Sequence, residues 1–366
     1  MARFADILTI VNGKNQKKVE NPNGKYPIYG SGGIMGYADD YICEAETVII
    51  GRKGSINNPI FVETPFWNVD TAFGLHADRS KVLPKYLYYF CVNYDFERLN
   101  TTVTIPSLTK ANLLNVEIPL PPLEEQRRIA ALLDKVSDLI DKRRAQLDKL
   151  DLLVKARFVE MFGDPVENDH KWQMWPLDSV CKTIVDCPHS TPNYTSDNTG
   201  YMCIKTSIVK KNRIMWDDIE YIPEHEYYQR IQRKRPEKGD IVYTREGAIL
   251  GIAAMIDRDC NVALGQRSML LSPDTTKCLP QFLSVAMNFE SFLRKALGGV
   301  SGSASPHINV GDIKAFTIIL PPLGLQKQFS FLVEQANKSK LTIQQSLDRL
   351  EVLKKALMQQ YFGVLQ

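Results

Sequence analysis

The sequence predicts an α/β (α+β) protein: two globular mixed α/β domains joined by two long, antiparallel coiled-coil helices in a pseudo-two-fold tandem repeat. Three observations carry this. The chain of 366 residues matches itself at an offset of 200. Each copy contains a long segment with apolar residues on a 4-3 spacing, and in the first it runs from Leu123 to Met161 without Pro or Gly. Upstream of each such segment, strand-like and helix-like runs are mixed.

The repeat comes first, because self-similarity decides architecture before any local reading does. Leu120-Pro121-Pro122-Leu123 recurs as Leu320-Pro321-Pro322-Leu323, Gln126 as Gln326, Leu147 and Leu150 as Leu347 and Leu350, and Phe162-Gly163 as Phe362-Gly363. This gapless match begins near Pro106 and Pro306. Farther upstream the halves correspond only with insertions. Val48-Ile49-Ile50 leading to Arg52 and Gly54 pairs with Ile241-Val242-Tyr243 leading to Arg245 and Gly247. Each half therefore reads as a diverged globular region followed by a shared rigid segment. The expected boundaries are 1–120 and 163–320 for the globular domains, and 121–162 and 321–366 for the helices.

The helices start after Pro pairs, which cannot continue a helix on their N-terminal side. In the first, Ile129, Leu133, Val136, Ile140, Leu147, Leu150, Val154 and Met161 form a seam broken by Arg143 and Arg157. In the second, the seam is Phe329, Val333, Ala336, Ile343, Leu347, Leu350, Leu357 and Tyr361, broken by Lys340 and Lys354. A stripe sustained over about five heptads marks a coiled coil. At 1.5 Å per residue each helix rises on the order of 55–60 Å. The helices most simply pair with each other, antiparallel, although spacing alone leaves a parallel pairing open. In the globular regions Thr47–Gly51, Ile60–Val62, Asp240–Thr244 and Ser268–Leu271 read as strands, and Lys85–Tyr94 and Gln281–Leu297 as helices.

Composition narrows the function. Net charge is +3, and no segment is a basic arm: residues 1–122 carry 12 Lys/Arg against 12 Asp/Glu, and residues 163–322 carry 18 against 19. Any grip on nucleic acid must come from local clusters. No run of 18 apolar residues offers a membrane span, and the first residues carry no apolar leader, so a cytoplasmic setting is expected. The seven cysteines form no C-x-x-C pair and read as reduced, buried thiols. Gly30-Ser31-Gly32-Gly33-Ile34-Met35-Gly36 fits neither phosphate-binding glycine pattern and reads as a tight turn. The five histidines lack metal-ligand spacing. Asp186-Cys187-Pro188-His189 places a nucleophile near a base, but adjacent positions seldom form a catalytic pair. No catalytic residue and no metal or cofactor bound by this chain is expected.

What remains is polar chemistry on loops. Arg52, Lys53, Asn57 and Asn58 follow a strand, and Arg245 holds the equivalent place in the second half. Arg suits guanine and Asn suits adenine, while a solvated turn is the plain alternative for any one of them. Gln266 and Arg267 precede a strand. Lys14, Lys17, Lys18, Lys210, Lys211 and Arg213, together with the 233–235 run, are candidate phosphate contacts. Ser107, Lys110, Ser303 and His307 lie on equivalent loops before the helices, where they either touch DNA or connect elements.

Ile118-Pro119-Leu120-Pro121-Pro122-Leu123-Glu124-Glu125-Gln126-Arg127-Arg128-Ile129, its copy Leu320-Pro321-Pro322-Leu323-Gly324-Leu325-Gln326, Trp175-Pro176-Leu177-Asp178-Ser179-Val180 and Lys238-Gly239-Asp240-Ile241-Val242 resemble type I restriction-modification specificity (S, HsdS) subunits along essentially the whole chain. The second copy departs at Gly324 and Leu325. The resemblance implies that each variable domain is a target-recognition domain reading one half of a bipartite site in double-stranded DNA. It implies that the helices space the halves and dock two modification (methyltransferase) subunits, with restriction (translocase/nuclease) subunits as optional partners. S-adenosylmethionine and ATP with Mg would then sit on the partner subunits. The competing expectation is a non-catalytic coiled-coil scaffold whose globular ends bind proteins.

Overall fold

The computed structural model describes residues 1–100, 107–298 and 306–363. It divides into two compact units: Met1–Gln146 with Ile343–Gln366, and Leu147–Thr342. These do not end where the helices begin. Each unit takes half of both long helices, because each globular core is completed by helix side chains.

The first unit is built on β1 (Leu8–Asn12), β2 (Tyr26–Gly30), β3 (Gly33–Ala38), β4 (Thr47–Gly51), β5 (Ile60–Val62), β6 (Trp67–Asn68) and β7 (Ala72–Ala77). One antiparallel sheet has the order β1-β7-β4-β5, and a smaller one the order β3-β2-β6. Every residue of β4 is buried, as expected of a central strand made of Val and Ile. Helix α1 (Pro84–Asn93) begins with Pro at its first position, where the missing N–H costs nothing. The short α2 (Lys110–Leu114) is capped by the Thr109 hydroxyl, and α3 (Leu123–Phe162) follows.

The second unit repeats the plan. Its strands are β8 (Cys181–Asp186), β9 (Met202–Ile204), β10 (Glu220–Tyr221), β11 (Ile241–Thr244), β12 (Ala253–Met255), β13 (Val262–Leu264) and β14 (Ser268–Pro273). They form sheets ordered β8-β14-β11-β12 and β10-β9-β13. Its helices include α4 (Glu224–Arg230), α5 (Pro280–Met287), α6 (Glu290–Leu297) and α7 (Val310–Ala315), followed by α8 (Leu323–Phe362), whose first half belongs to this unit. The main sheets of the two units thus match strand for strand.

Two expectations need correction. The helix read over Gln281–Leu297 is broken between α5 and α6. Asn288 ends the first piece: its amide Nδ2 donates to the carbonyls of Ala253 and Ser284 and to Asn212 Oδ1, and its Oδ1 accepts the Ala253 N–H. An Asn tied to a strand in this way competes with helix continuation. The heptad seam also shifts near each helix end. Phe158 and Phe162 are fully buried, as are Met358 and Phe362 nearly so, while the expected Met161, Leu357 and Tyr361 are half-buried. A straight helix drifts about 20° per heptad, which over five heptads is about one residue's rotation.

The pairing sense of the helices follows from each core taken alone. In the first unit Ile129 and Leu133, near the start of α3, share a cluster with Met358 and Phe362 at the end of α8. In the second, Phe158 and Phe162 pack with Phe329 and Val333 near the start of α8. Start meets end in both, so the helices run antiparallel. Arg144–Glu351 at 2.8 Å bridges them in the first unit, and Lys340–Asp151 in the second. Val136 and Ile140 are buried, Leu347 is 6% exposed, and Leu147, Leu150, Ile343 and Leu350 are half-buried.

Candidate nucleic-acid interface

The sheets place equivalent loops at equivalent strand ends. In the first unit Asn12, Phe73 and Ile50 lie across from one another on β1, β7 and β4. In the second the same places are held by Asp186, Met269 and Tyr243 on β8, β14 and β11. Arg52 and Arg245 therefore occupy one position in the repeated frame. The Arg52 N–H donates to Thr71 O at 2.7 Å, and the Arg245 N–H to Arg267 O at 3.1 Å. The loop before each long helix returns to this turn: Leu108 N–H donates to Arg52 O, and Ile308 N–H to Arg245 O, both at 2.9 Å. Isolated bridges join Lys53 to Ser107 and Glu246 to His307. Gly54 and Gly247 follow with φ of +80° and +88°, a conformation that disfavours side chains. The Arg-x-Gly turn is thus a built feature of both units, tethered to the segment leading into the helix.

At this shared position the two arginines differ. Arg52 is exposed and lies over the Phe73 ring at 5.8 Å. Arg245 is buried, and its guanidinium donates twice to Asp186, Nε to Oδ1 at 2.9 Å and Nη2 to Oδ2 at 3.1 Å. Arg245, expected to read a base, instead faces inward as a neutralised partner. The difference lies two strands across the sheet: the first unit has Asn12 where the second has the carboxylate of Asp186.

The other candidates sort as follows. Lys14, Lys17, Lys18, Lys53, Asn58, Lys210, Lys211, Arg213, Arg267 and His307 are exposed. Asn57 does not present its amide: Nδ2 donates to Asp95 at 2.8 Å and Oδ1 accepts the Phe96 N–H at 2.7 Å. Lys110 reaches back to Ile10 O at 2.8 Å. Ser107 donates its N–H to Asn100 Oδ1. Gln266 is half-buried, 3.4 Å from the Thr191 hydroxyl. Arg267 has φ of +70°, a strained state for a residue with a side chain, at a cost of about 1 kcal/mol. Ser303 lies outside the described residues. Lys211 borders a cavity of about 340 Å³ with Asn288, Phe289 and Lys340.

Gln126 and Gln326, expected among the partner-helix residues, are fully buried within their own units. Gln126 Nε2 donates to Lys81 O and Pro121 O; Gln326 Nε2 donates to Lys277 O and Pro321 O. They lock helix starts rather than meet partners.

Sequence reasoning passed over the buried pair Glu226–Arg230, at 2.9 Å. Glu226 accepts the Asn193 N–H, and Arg230 donates to Ser190 O at 2.9 Å, which holds the loop after β8. Their i,i+4 spacing on a short helix was the available signal. The Asp186–His189 segment carries no nucleophile: Cys187 is buried, which pushes its thiol pKa up, against what a thiolate needs. Among the described residues no group of three or more His, Cys, Asp or Glu could hold a metal ion, and no helix is long and apolar enough to cross a membrane.

The family model described as type I restriction modification DNA specificity domain matches residues 1–151 and 169–352. The chain is 26% identical to the type I restriction enzyme MjaVIII specificity subunit of Methanocaldococcus jannaschii, over 98% of this chain and 90% of that one. It is 22% identical to the EcoBI specificity subunit of Escherichia coli, over 85% and 70%. Its fold resembles the crystal structure of a type I restriction-modification S subunit from M. genitalium, with a TM-score of 0.65 and 16% identity across 100% of this chain and 96% of that chain.

Proposed function

Since this chain belongs to the type I restriction-modification DNA specificity family, with DNA sequence specificity as its role, we propose that each unit reads one half of a bipartite site in double-stranded DNA. The observation that carries this is the duplicated frame with divergent ends. Both units hold an Arg-x-Gly turn against the segment before a long helix, yet present different groups from it. Two readers on one duplex must sit about one helical turn apart or a multiple of it, and helices of 40 residues suit the task of setting that gap.

The helices also expose apolar side chains, among them Leu152 and Phe331, each 64% exposed. In this reading such faces receive two modification subunits, which carry S-adenosylmethionine and methylate adenine, with ATP and Mg on restriction subunits where these are present. The setting is the cytoplasm. The scaffold alternative is not favoured, because the family match covers both variable regions.

The test is an exchange. Residues 1–120 are replaced by the first variable region of another family member, the hybrid is produced with its modification subunits, and methylated adenines are mapped by sequencing. One half of the recognised site changes and the other stays. A change in both halves, or methylation indifferent to sequence, overturns the reading.

A further inference from the structure

We propose that His189 is a base-contacting residue of the second unit, positioned by Asp186, which Arg245 holds in turn; this rests on the DNA-specificity reading above. His189 Nε2 lies 3.0 Å from Asp186 Oδ2, with the imidazole 63% exposed and the carboxylate 14% exposed. The same carboxylate takes both hydrogen bonds from Arg245, whose side chain is 8% exposed. The three side chains therefore run from interior to surface, and only the last faces solvent.

A carboxylate only accepts, so the ring nitrogen facing Asp186, Nε2, is the donor, and in the neutral imidazole the other nitrogen, Nδ1, is a lone-pair acceptor. An acceptor in that place suits the exocyclic amino group that adenine or cytosine presents in the major groove. The loop is held on both sides of the ring. Cys187 N–H donates to Ser268 O at 3.2 Å, Pro188 fixes its own φ, and Arg230 holds Ser190 O at 2.9 Å. A reader fixed before binding loses little freedom on contact. Gln266, reached through Thr191, and the exposed Arg267 end the neighbouring strand connection.

Comparison of the two units supports the assignment. In the first, Asn12 stands at the register of Asp186 and Arg52 is exposed. In the second, the arginine is withdrawn and an imidazole stands outside it. One frame thus presents a guanidinium donor in one unit and an imidazole acceptor in the other, which suits two half-sites of different sequence.

The test uses the full chain assembled with its methyltransferase subunits and duplex DNA randomised across the site. The intact protein selects a bipartite sequence. His189→Ala loses preference at one base pair of the half read by the second unit, by about tenfold, and leaves the other half untouched. His189→Gln, which keeps an acceptor, restores part of it. At that base pair, replacing adenine by purine or cytosine by pyrimidin-2-one weakens the intact protein about tenfold and His189→Ala not at all. Asp186→Asn affects the same base pair, and because that carboxylate also supports the fold, the exposed His189 decides the matter. An unchanged selection by His189→Ala, or a loss spread over both halves, overturns the proposal while leaving DNA specificity in place. Absence of any selected sequence with the intact protein overturns the reading beneath it, and the proposal with it.

Discussion

Gln126 Oε1 accepts the backbone N–H of Leu83 at 2.9 Å, across 43 residues of sequence. Gln326 makes the same bond to Leu279 at 2.8 Å. Each amide thereby ties the start of a long helix to the start of an earlier helix of its unit, α1 in the first and α5 in the second, with all of its polar atoms inside the protein. The repeated Pro-Pro-Leu-x-x-Gln pattern is a structural lock, and its duplication records that both units need the same one.

Gln126→Leu and Gln326→Leu therefore lower stability by about 2 kcal/mol each, since buried N–H and C=O groups left without partners cost roughly 1–3 kcal/mol. Urea unfolding of the full chain measures this. A loss below about 0.5 kcal/mol in both variants would mean that water replaces the amide at no cost, contrary to the burial of these side chains.

The two arginines of the repeated turn separate by the same kind of measurement. Arg245→Ala strips the half-buried Asp186 carboxylate of its two guanidinium bonds, leaving only the His189 contact, and destabilises by about 2–3 kcal/mol. Arg52→Ala removes an exposed side chain and stays within about 0.5 kcal/mol of the parent. Equal losses at both positions would contradict the inward and outward orientations.

How far the sequence revealed this arrangement depends on the range of the interaction. Helix starts, the repeat and the strands around Val48–Ile50 and Ile241–Tyr243 follow from local pattern, and all of these appear in the structure. The break at Asn288 does not, because it depends on Ala253, 35 residues away. Nor does the withdrawal of Arg245, which is decided by Asp186, 59 residues away. Periodicity reports which face of a helix is apolar, but not where a straight helix has rotated past its heptad register. That is why Phe158 and Phe162 were absent from the predicted seam.

Those two phenylalanines carry the next prediction. Phe158 lies 5.4 Å from Phe282 and 4.6 Å from Phe289, ring centre to ring centre, with no solvent exposure. Phe158→Ala opens a cavity and costs about 3–5 kcal/mol. Leu152→Ala, six residues earlier on an exposed face, changes stability by less than about 0.5 kcal/mol. The contrast is read by thermal or urea unfolding, and a reversed order would contradict the burial of Phe158 and the exposure of Leu152.

Thiol chemistry reports on the same cores. Burial pushes the Cys43 and Cys181 thiols up to about 12, and six of the seven cysteines are buried, leaving Cys260 partly accessible. Thiolate is the reactive form. At pH 8 an aromatic disulfide reagent titrates no more than one thiol quickly in the folded chain, and seven after unfolding in urea. Several fast thiols in the folded chain would mean that the cores open far more readily than their packing implies.

Salt dependence separates contacts that hold DNA from contacts that read it. Lys17 and Lys18 are exposed in the turn after β1, in the part of the first unit that also carries Lys14. A lysine on a phosphate releases a counterion on binding, so each such contact adds about 0.9 to the slope of log affinity against log salt. Lys17→Ala therefore weakens binding to every sequence alike and lowers the slope by about that amount. Arg52→Ala, on a turn suited to base edges, weakens the selected sequence more than a scrambled one and relaxes preference at one base pair by about tenfold. Binding of both variants to selected and scrambled duplexes, measured at several salt concentrations with the modification subunits present, tells the two roles apart. If Arg52→Ala lowers both affinities equally and shifts the slope as Lys17→Ala does, the exposed guanidinium grips the backbone, and base reading in the first unit falls to other side chains on its loops.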